Sequence, residues 1–430
     1  MFILSPPHPN DRFDVYRFFN GQSQEAKEGL DRRHTRIPLV KTFLLEHVAS
    51  RGNVRPRPPD IIFKELGADI EMLDDTFMAL RFNDVYDKQE DRKITATAGF
   101  LEQYDERFFA YYTCEDSKAA KNRVSRWVLA PDLDHAWFSS PLLYQIWSRD
   151  VSKRGDERFC KLVFKHESIF DMPHDMSEPG DAVGDTEEEN EDEESSSNDR
   201  REPERRKARF EMSDKIGRIK KSLDTLMENY APLHVLNSLR IPSRRGRGGH
   251  DLFQTGQITN RSDSFEDHRN IVKYLYRIYN SILISTENIA WQSIDSHKKL
   301  NESIKGVPLI VKFEEPLNQA TFKRWVQMAF KKRNQFKLWG IPIELGPTQV
   351  HVYGADRHLW QPINLEITSK GIVAILPQGT CGNTFFRLVT NIQQYVCPRI
   401  KAWIGSQTFE DVVGNWSVSK EYVDESRKID

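Results

Sequence analysis

The sequence predicts a mixed fold: an α-rich N-terminal domain (α+β as its alternative), a disordered acidic linker, a helical segment, and a C-terminal α+β domain with a mainly antiparallel sheet. Three observations carry this expectation. Apolar residues recur at helical spacing in the first 170 positions and again between 210 and 304. From Asp171 to Asp199 there are thirteen Asp and Glu and no Lys or Arg. Beyond residue 305 the pattern changes to short β-branched runs around one amphipathic helix. The 430 residues suffice for two or three domains. We draw the boundaries at 11–170, 171–209, 210–304, 305–415 and a tail at 416–430.

In the N-terminal part, "TRIPLVKTFLLEHVAS" sets Ile37, Val40, Phe43, Leu44 and Val48 on one helical face. "DIEMLDDTFMALRF" repeats the pattern with Ile70, Leu73, Phe77 and Leu80, capped by Asp69. "FFAYYTC" and "RVSRWVL" are short, aromatic and β-branched, and suit a hairpin better than one long helix. "SSPLLYQIW" reads as a helix entered through Pro141. The dense aromatics between 99 and 147 predict a core of large rings.

The acidic run has almost no large apolar residue after Met176. It cannot bury enough surface to offset about 1–2 kcal/mol of chain entropy per residue, so disorder is expected. Arg200, Arg201, Arg205, Arg206, Lys207 and Arg209 follow it. A polyampholyte linker is the plain reading and a nuclear import signal the sharper one. The segment at 210–304 predicts two helices, one with Ile216, Ile219, Leu223 and Leu226, the other with Ile271, Leu275, Ile278, Ile282 and Ile289. Between them, residues 243–250 with Arg244, Arg245 and Arg247 read as a flexible cationic loop. After residue 305 we expect the strand "VPLIVKFEEP", then a helix capped by Asn318 with Phe322, Trp325, Val326, Ala329 and Phe330 inward. The strands "KLWGIPIELG", "QVHVYG", "INLEIT" and "GIVAILP" follow, the last two joined at Ser369-Lys370-Gly371 as a hairpin.

Charge and cysteine usage narrow the setting. Without its acidic run the chain has 51 acids against 62 bases, about +11. Four scattered cysteines make no disulfide framework, which predicts a reducing compartment. No apolar run nears the length of about 18 residues that spans a membrane, and the N-terminus lacks a secretory pattern. The expected location is intracellular, nuclear or cytoplasmic.

The motifs of phosphate loops, dinucleotide folds, kinases, serine hydrolases and zinc proteases are absent, and no close cysteine pair suggests a zinc site. "DLDH" at 132–135 is read as a turn rather than a metal triplet. No cofactor and no metal are expected. Cys381, in "GTCGN", is the one nucleophile candidate, with His358 or His351 as base and Asp356 to orient it. The competing reading is a bend in which Gly379, Gly382 and Asn383 supply positive φ angles. "GADRHLWQP" at 354–362 offers Arg357, His358 and Trp360 as binding residues, or Trp360 as a plug at a sheet edge.

The function expected from these parts is non-enzymatic: an intracellular binding or regulatory protein acting through contacts with a protein partner. One alternative is weak association with nucleic acid or another polyanion through Arg244, Arg245 and Arg247, with the acidic linker masking basic patches. A second is a cysteine-dependent hydrolase or transferase in the C-terminal domain.

Overall fold

The computed structural model describes residues 5–6, 9–32, 37–47, 57–87, 92–167, 207–244, 246–297, 301–330 and 334–417. The first half of the described chain runs α1 (Arg12–Arg32), β1 (Lys41–His47), α2 (Pro59–Glu65), β2 (Asp69–Asp74), β3 (Phe77–Asp87), β4 (Arg92–Gln103) and β5 (Phe108–Thr113). It continues with α3 (Ser117–Trp127), β6 (Leu133–His135), α4 (Ser140–Arg149), β7 (Phe159–Glu167), β8 (Lys207–Lys215) and α5 (Ile216–Asn229). Then come β9 (Leu236–Pro242), β10 (Gly249–Phe253), β11 (Gln257–Asn260) and the long helix α6 (Phe265–Ala290).

The second half opens with the small hairpin β12 (Ser293–His297) and β13 (Asn301–Lys305), then β14 (Leu309–Phe313) and α7 (Gln319–Ala329). The strands β15 (Leu338–Gly346), β16 (Gln349–Asp356), β17 (Gln361–Thr368) and β18 (Gly371–Ile375) lead to α8 (Asn383–Tyr395). β19 (Ile400–Ile404), β20 (Gln407–Thr408) and α9 (Phe409–Gly414) close the described chain.

Two large sheets dominate an α+β fold. The first has the order β2-β3-β4-β5-β1-β11-β10-β9-β7-β8, with β6 added to β1. The second runs β15-β16-β17-β18-β14-β19-β20. Every strand pair named here is antiparallel; the isolated bridge Gln292–Pro377 is parallel. No helix among the described residues is long and apolar enough to cross a membrane.

The element content differs from expectation in the first 304 residues. Within the 37–48 pattern, 41–47 form strand β1, not a helix, because the segment is buried on both faces: Leu44 joins one core, Phe43 and Leu45 the other; Val48 lies outside the described residues. The 69–82 pattern is the hairpin β2–β3, which turns at Asp74 and Thr76; the Asp74 carboxylate accepts from the Thr76 amide at 2.9 Å. "FFAYYT" is a strand, but the run after it is helix α3, because Asp116 caps its start by accepting from the Lys118 amide. The N-terminal part is therefore strand-rich rather than mainly helical. The segment at 210–304 contributes its two expected helices and also the central strands β9 to β11. Of the 243–250 stretch, Arg245 lies outside the described residues, and Gly249 and His250 open β10. Gly248 has φ +85°, and a Cβ there would lie 2.2 Å from the Arg261 carbonyl. The linker expected at 171–209 lies outside the described residues up to 206, and 207–209 open β8.

The C-terminal expectations hold element by element. The strands, helix α7 with its Asn318 cap, and the hairpin with Thr368 opposite Gly371 are all present. α6 lies between the sheets, touching β1 and β11 on one side and β19 on the other. One continuous core, from Val15 to Trp416, joins both sheets around it.

Candidate functional site

Three segments far apart in sequence meet where α6 passes between the sheets. Glu46 ends β1, Arg107 precedes β5, and Glu287 lies in the last turns of α6. The Arg107 guanidinium donates to Glu46 Oε1 at 2.7 Å and to Glu287 Oε2 at 3.0 Å. Cys381 sits on the loop that enters α8; its thiol donates to Glu46 Oε1 at 3.1 Å and lies 3.6 Å from Arg107 Nη2. The Gly382 amide donates to Glu287 Oε1 at 2.9 Å. A Cβ on Gly382 would come within 2.7 Å of Glu287 Cγ, so this approach needs glycine.

A second ionic group adjoins the first. Asp134 of β6 accepts from Arg387 of α8 and pairs with Lys337 at 3.2 Å. Arg387 also binds Asp356 at 2.6 Å and the Phe336 carbonyl at 2.9 Å. His358 donates its backbone amide to Asp356 Oδ1 at 2.9 Å, and its ring lies 4.0 Å from Asp134. Both ring nitrogens of His358 and Glu46 Oε2 are buried without a hydrogen-bond partner among the described residues. A ring nitrogen of His358, a carboxylate oxygen of Glu46 and the Cys381 sulfur lie within 4.8 Å of one another.

The electrostatics follow from burial and sign. Burial pushes Glu46 up to about 7, although Arg107 opposes it. Burial also pushes Asp134 up, but Lys337 and Arg387 outweigh it and hold the carboxyl well below its usual range. Burial lowers His358 to about 3, keeping the imidazole neutral. Burial and the neighbouring Glu46 carry the Cys381 thiol well above its ordinary value. A reactive thiolate needs the reverse: an electropositive, partly exposed setting.

Sequence reading thus found Cys381 and His358, and the structure places them together. His351 is not brought to them: it lies on β16 with its ring 4.6 Å from Tyr353. Of the three residues expected at positive φ around Cys381, Gly379 has it; Gly382 is right-handed and Asn383 opens α8. The residues of "DLDH" diverge, with Asp132 paired to Arg57 and Asp134 turned into the ionic centre. Glu46, Arg107, Glu287, Lys337 and Arg387 escaped notice because no local spacing links them. Cys381 and Glu46 are 335 positions apart, and Arg387 and Asp134 are 253 apart.

A buried polar chain runs beside this centre. Thr42 Oγ1 lies 2.7 Å from His268 Nε2, His268 Nδ1 lies 3.2 Å from His250 Nδ1, and His250 Nε2 lies 3.1 Å from Asp267. Ser243 donates to the same Asp267 oxygen at 2.6 Å. One proton arrangement satisfies every contact: Thr42 donates to His268, His268 to His250, and His250 to Asp267. Burial, then the neighbouring His250, hold His268 well below its usual value. The folded chain therefore resists a proton that the unfolded chain accepts near pH 6.5. This contribution is fully present above about pH 6.5 and is lost as the pH falls below it, at about 1.4 kcal/mol per pH unit. Thermal midpoints measured from pH 8 to pH 5 are expected to drop in that window, and His268→Gln is expected to flatten the drop. An unchanged slope in the variant would contradict the assignment.

The outer face of the second sheet is a different kind of surface. On the edge strand β15, Trp339, Ile341, Ile343 and Leu345 occupy every second position and are 51, 72, 50 and 60% exposed. Tyr353 of β16, opposite Ile341, is 67% exposed. The next loop holds the expected binding residues. Trp360 is 55% exposed with φ +51°, so it does not plug the sheet edge. Arg357 is half-buried and donates its amide to the Lys337 carbonyl at 2.8 Å, while His358 points inward. Arg244 and Arg247 are exposed beside β10, Arg244 with its guanidinium 5.3 Å from the Tyr274 ring centre. Arg245 lies outside the described residues.

Comparison with known proteins places these features in context. Residues 17–410 match the family model of MJECL33-like proteins, a span that holds the ionic centre and the outer face. The uncharacterized protein MJECL33 of Methanocaldococcus jannaschii is 24% identical over 376 residues, covering 83% of this chain and 84% of that protein. No solved structure matches the chain.

Proposed function

The chain belongs to the MJECL33-like protein family, and we propose that it works without catalysis, by protein–protein contact through the outer face of β15 and β16. The observation that carries this reading is the stripe of Trp339, Ile341, Ile343, Leu345 and Tyr353, each at least half exposed. Side chains of roughly 200 Å² at these exposures leave about 600 Å² of apolar surface, the upper end of what a monomer normally shows. One charged side chain, Glu344, is exposed on β15 beside these apolar residues.

The occupant we assign is a second copy of the chain. Two such faces packed together would bury about 1,200 Å², the lower limit of a specific interface. Large apolar side chains are the composition of a homodimer contact. Pro342, within the edge strand, has no amide to donate. It disfavours pairing of another strand along the edge and leaves the face as the contact. Further support for a contact role comes from the candidate nucleophile, Cys381, whose side chain is buried rather than partly exposed. Four free cysteines suit a reducing interior, cytoplasmic or nuclear.

Sedimentation of the full chain tests the assignment. Wild-type protein is expected at twice the single-chain mass at micromolar concentration. Ile341→Lys combined with Tyr353→Lys is expected at the single-chain mass with unchanged circular dichroism. Wild-type protein that stays single up to about 100 μM would overturn the second copy as occupant.

A further inference from the structure

We propose that Glu46, His358 and Cys381 together bind one divalent transition-metal ion, of which zinc is the expected occupant. The three ligand atoms already lie within 4.8 Å of one another, and each residue is buried. A bound zinc ion takes sulfur at about 2.3 Å and nitrogen or oxygen at about 2.0–2.2 Å. Shifts of about 1 Å in the side chains therefore bring the three donors onto one ion, without movement of the strands that carry them, and leave the fourth tetrahedral position to water or another donor.

Unpartnered atoms point to the same place. Glu46 Oε2 and both ring nitrogens of His358 have no hydrogen-bond partner among the described residues, although His358 is 0% exposed. A buried polar atom left unpaired costs about 1–3 kcal/mol, so three within two adjoining residues call for a missing partner. Glu46 Oε2 and one ring nitrogen of the neutral His358 both offer lone pairs, as metal ligands do, while the other ring nitrogen carries the proton.

The surrounding groups already provide an outer shell. Glu46 Oε1 is held by Arg107, itself held by Glu287, which leaves Oε2 as the ligand atom. Asp134 lies 4.0 Å from His358 Nδ1. A carboxylate on that side favours the Nδ1–H tautomer and directs Nε2 to the metal.

The charge balance gives the ion's valence. With Glu46 ionised, as a metal ligand is, Glu46, Glu287, Asp134 and Asp356 oppose Arg107, Arg387 and Lys337, one negative charge in excess. On binding, the Cys381 thiol releases its proton to solvent and its sulfur forms the metal bond, which brings the excess to two. A divalent ion cancels it. Sulfur, nitrogen and oxygen in one set suit zinc and its neighbours rather than magnesium or calcium. The ion would tie β1 of the first sheet to the segments flanking β17 and β18 of the second, a structural cross-link across 335 positions of chain.

The test uses the full chain, dialysed against chelator and refilled with cobalt(II), whose bond to a thiolate gives a near-ultraviolet charge-transfer band. We expect a stoichiometric band in wild-type protein and in Cys397→Ser, and no band in Cys381→Ser. Zinc is expected to displace the cobalt and raise the thermal midpoint of the wild type. Should Cys381→Ser fail to fold, Glu46→Gln provides the second reading, with zinc affinity reduced at least about tenfold. Absence of the band in the wild type, its persistence in Cys381→Ser, or unchanged affinity in Glu46→Gln would each overturn the site. The Ile341→Lys and Tyr353→Lys chain is expected to bind cobalt as the wild type does, so failure of the surface assignment and failure of the metal site remain separate results.

Discussion

Replacing Arg387 by Met is expected to destabilise the chain by about 3–5 kcal/mol, the cost of leaving buried charge uncompensated. Arg387 is fully buried in α8 and holds Asp134 of the first sheet and Asp356 of the second. Met fills similar volume but supplies no donor. Two carboxylates then remain in the interior with only Lys337 nearby, and the Phe336 carbonyl also loses its donor. Urea unfolding followed by circular dichroism measures the loss. Arg218→Met, which removes an exposed pair with Asp214, is expected to leave the midpoint unchanged. A loss for Arg387→Met below about 1 kcal/mol would show that the group contributes no more than an exposed pair.

Trp325→Ala is expected to be of similar size, about 3–5 kcal/mol. Trp325 is 1% exposed and anchors α7 to the inner side of the second sheet, its ring 5.9 Å from Phe313. Its indole nitrogen is buried without a hydrogen-bond partner among the described residues. Trp325→Phe should therefore cost clearly less than the lost volume implies, because it also removes an unpaired donor. Equal losses for the two substitutions would contradict this account of the packing. α7 covers the sheet from within, and no described helix covers it from without.

That same asymmetry explains which strands were legible in the sequence. β16 and β17 each have one face on the core and one toward solvent, so their residues alternate and read as strands, and β15 alternates large apolar residues with Gly340, Pro342 and Glu344. β1 is buried along its whole length and carries apolar residues on both sides, so its spacing mimics a helix. The β2–β3 hairpin was missed because its turn, at Asp74, Asp75 and Thr76, lacks the glycine that usually announces one. Helix α3 was missed for the opposite reason: β-branched and aromatic residues occupy a helix that its Asp116 cap and the surrounding core select.

The buried centre was only half visible. Cys381 and His358 stood out by chemical type, and Asp356 by its nearness to His358 in the chain. Their partners come from β1, the β4–β5 turn, β6 and α6, so pairing required the fold. The outer stripe had a sequence signal that went unused: "WGIPIEL" alternates large apolar residues, but nothing in the string says which set faces the core.

Hydroxyl-radical footprinting of the full chain tests the central claim, that the outer face is covered by a second copy, most directly. Trp339 and Tyr353 serve as reporters, and Phe159, 64% exposed on the first sheet, as the internal reference. The account predicts that both reporters are labelled several-fold more slowly at high protein concentration than at high dilution, while Phe159 is labelled equally. Equal labelling of Trp339 and Tyr353 at both concentrations would contradict it.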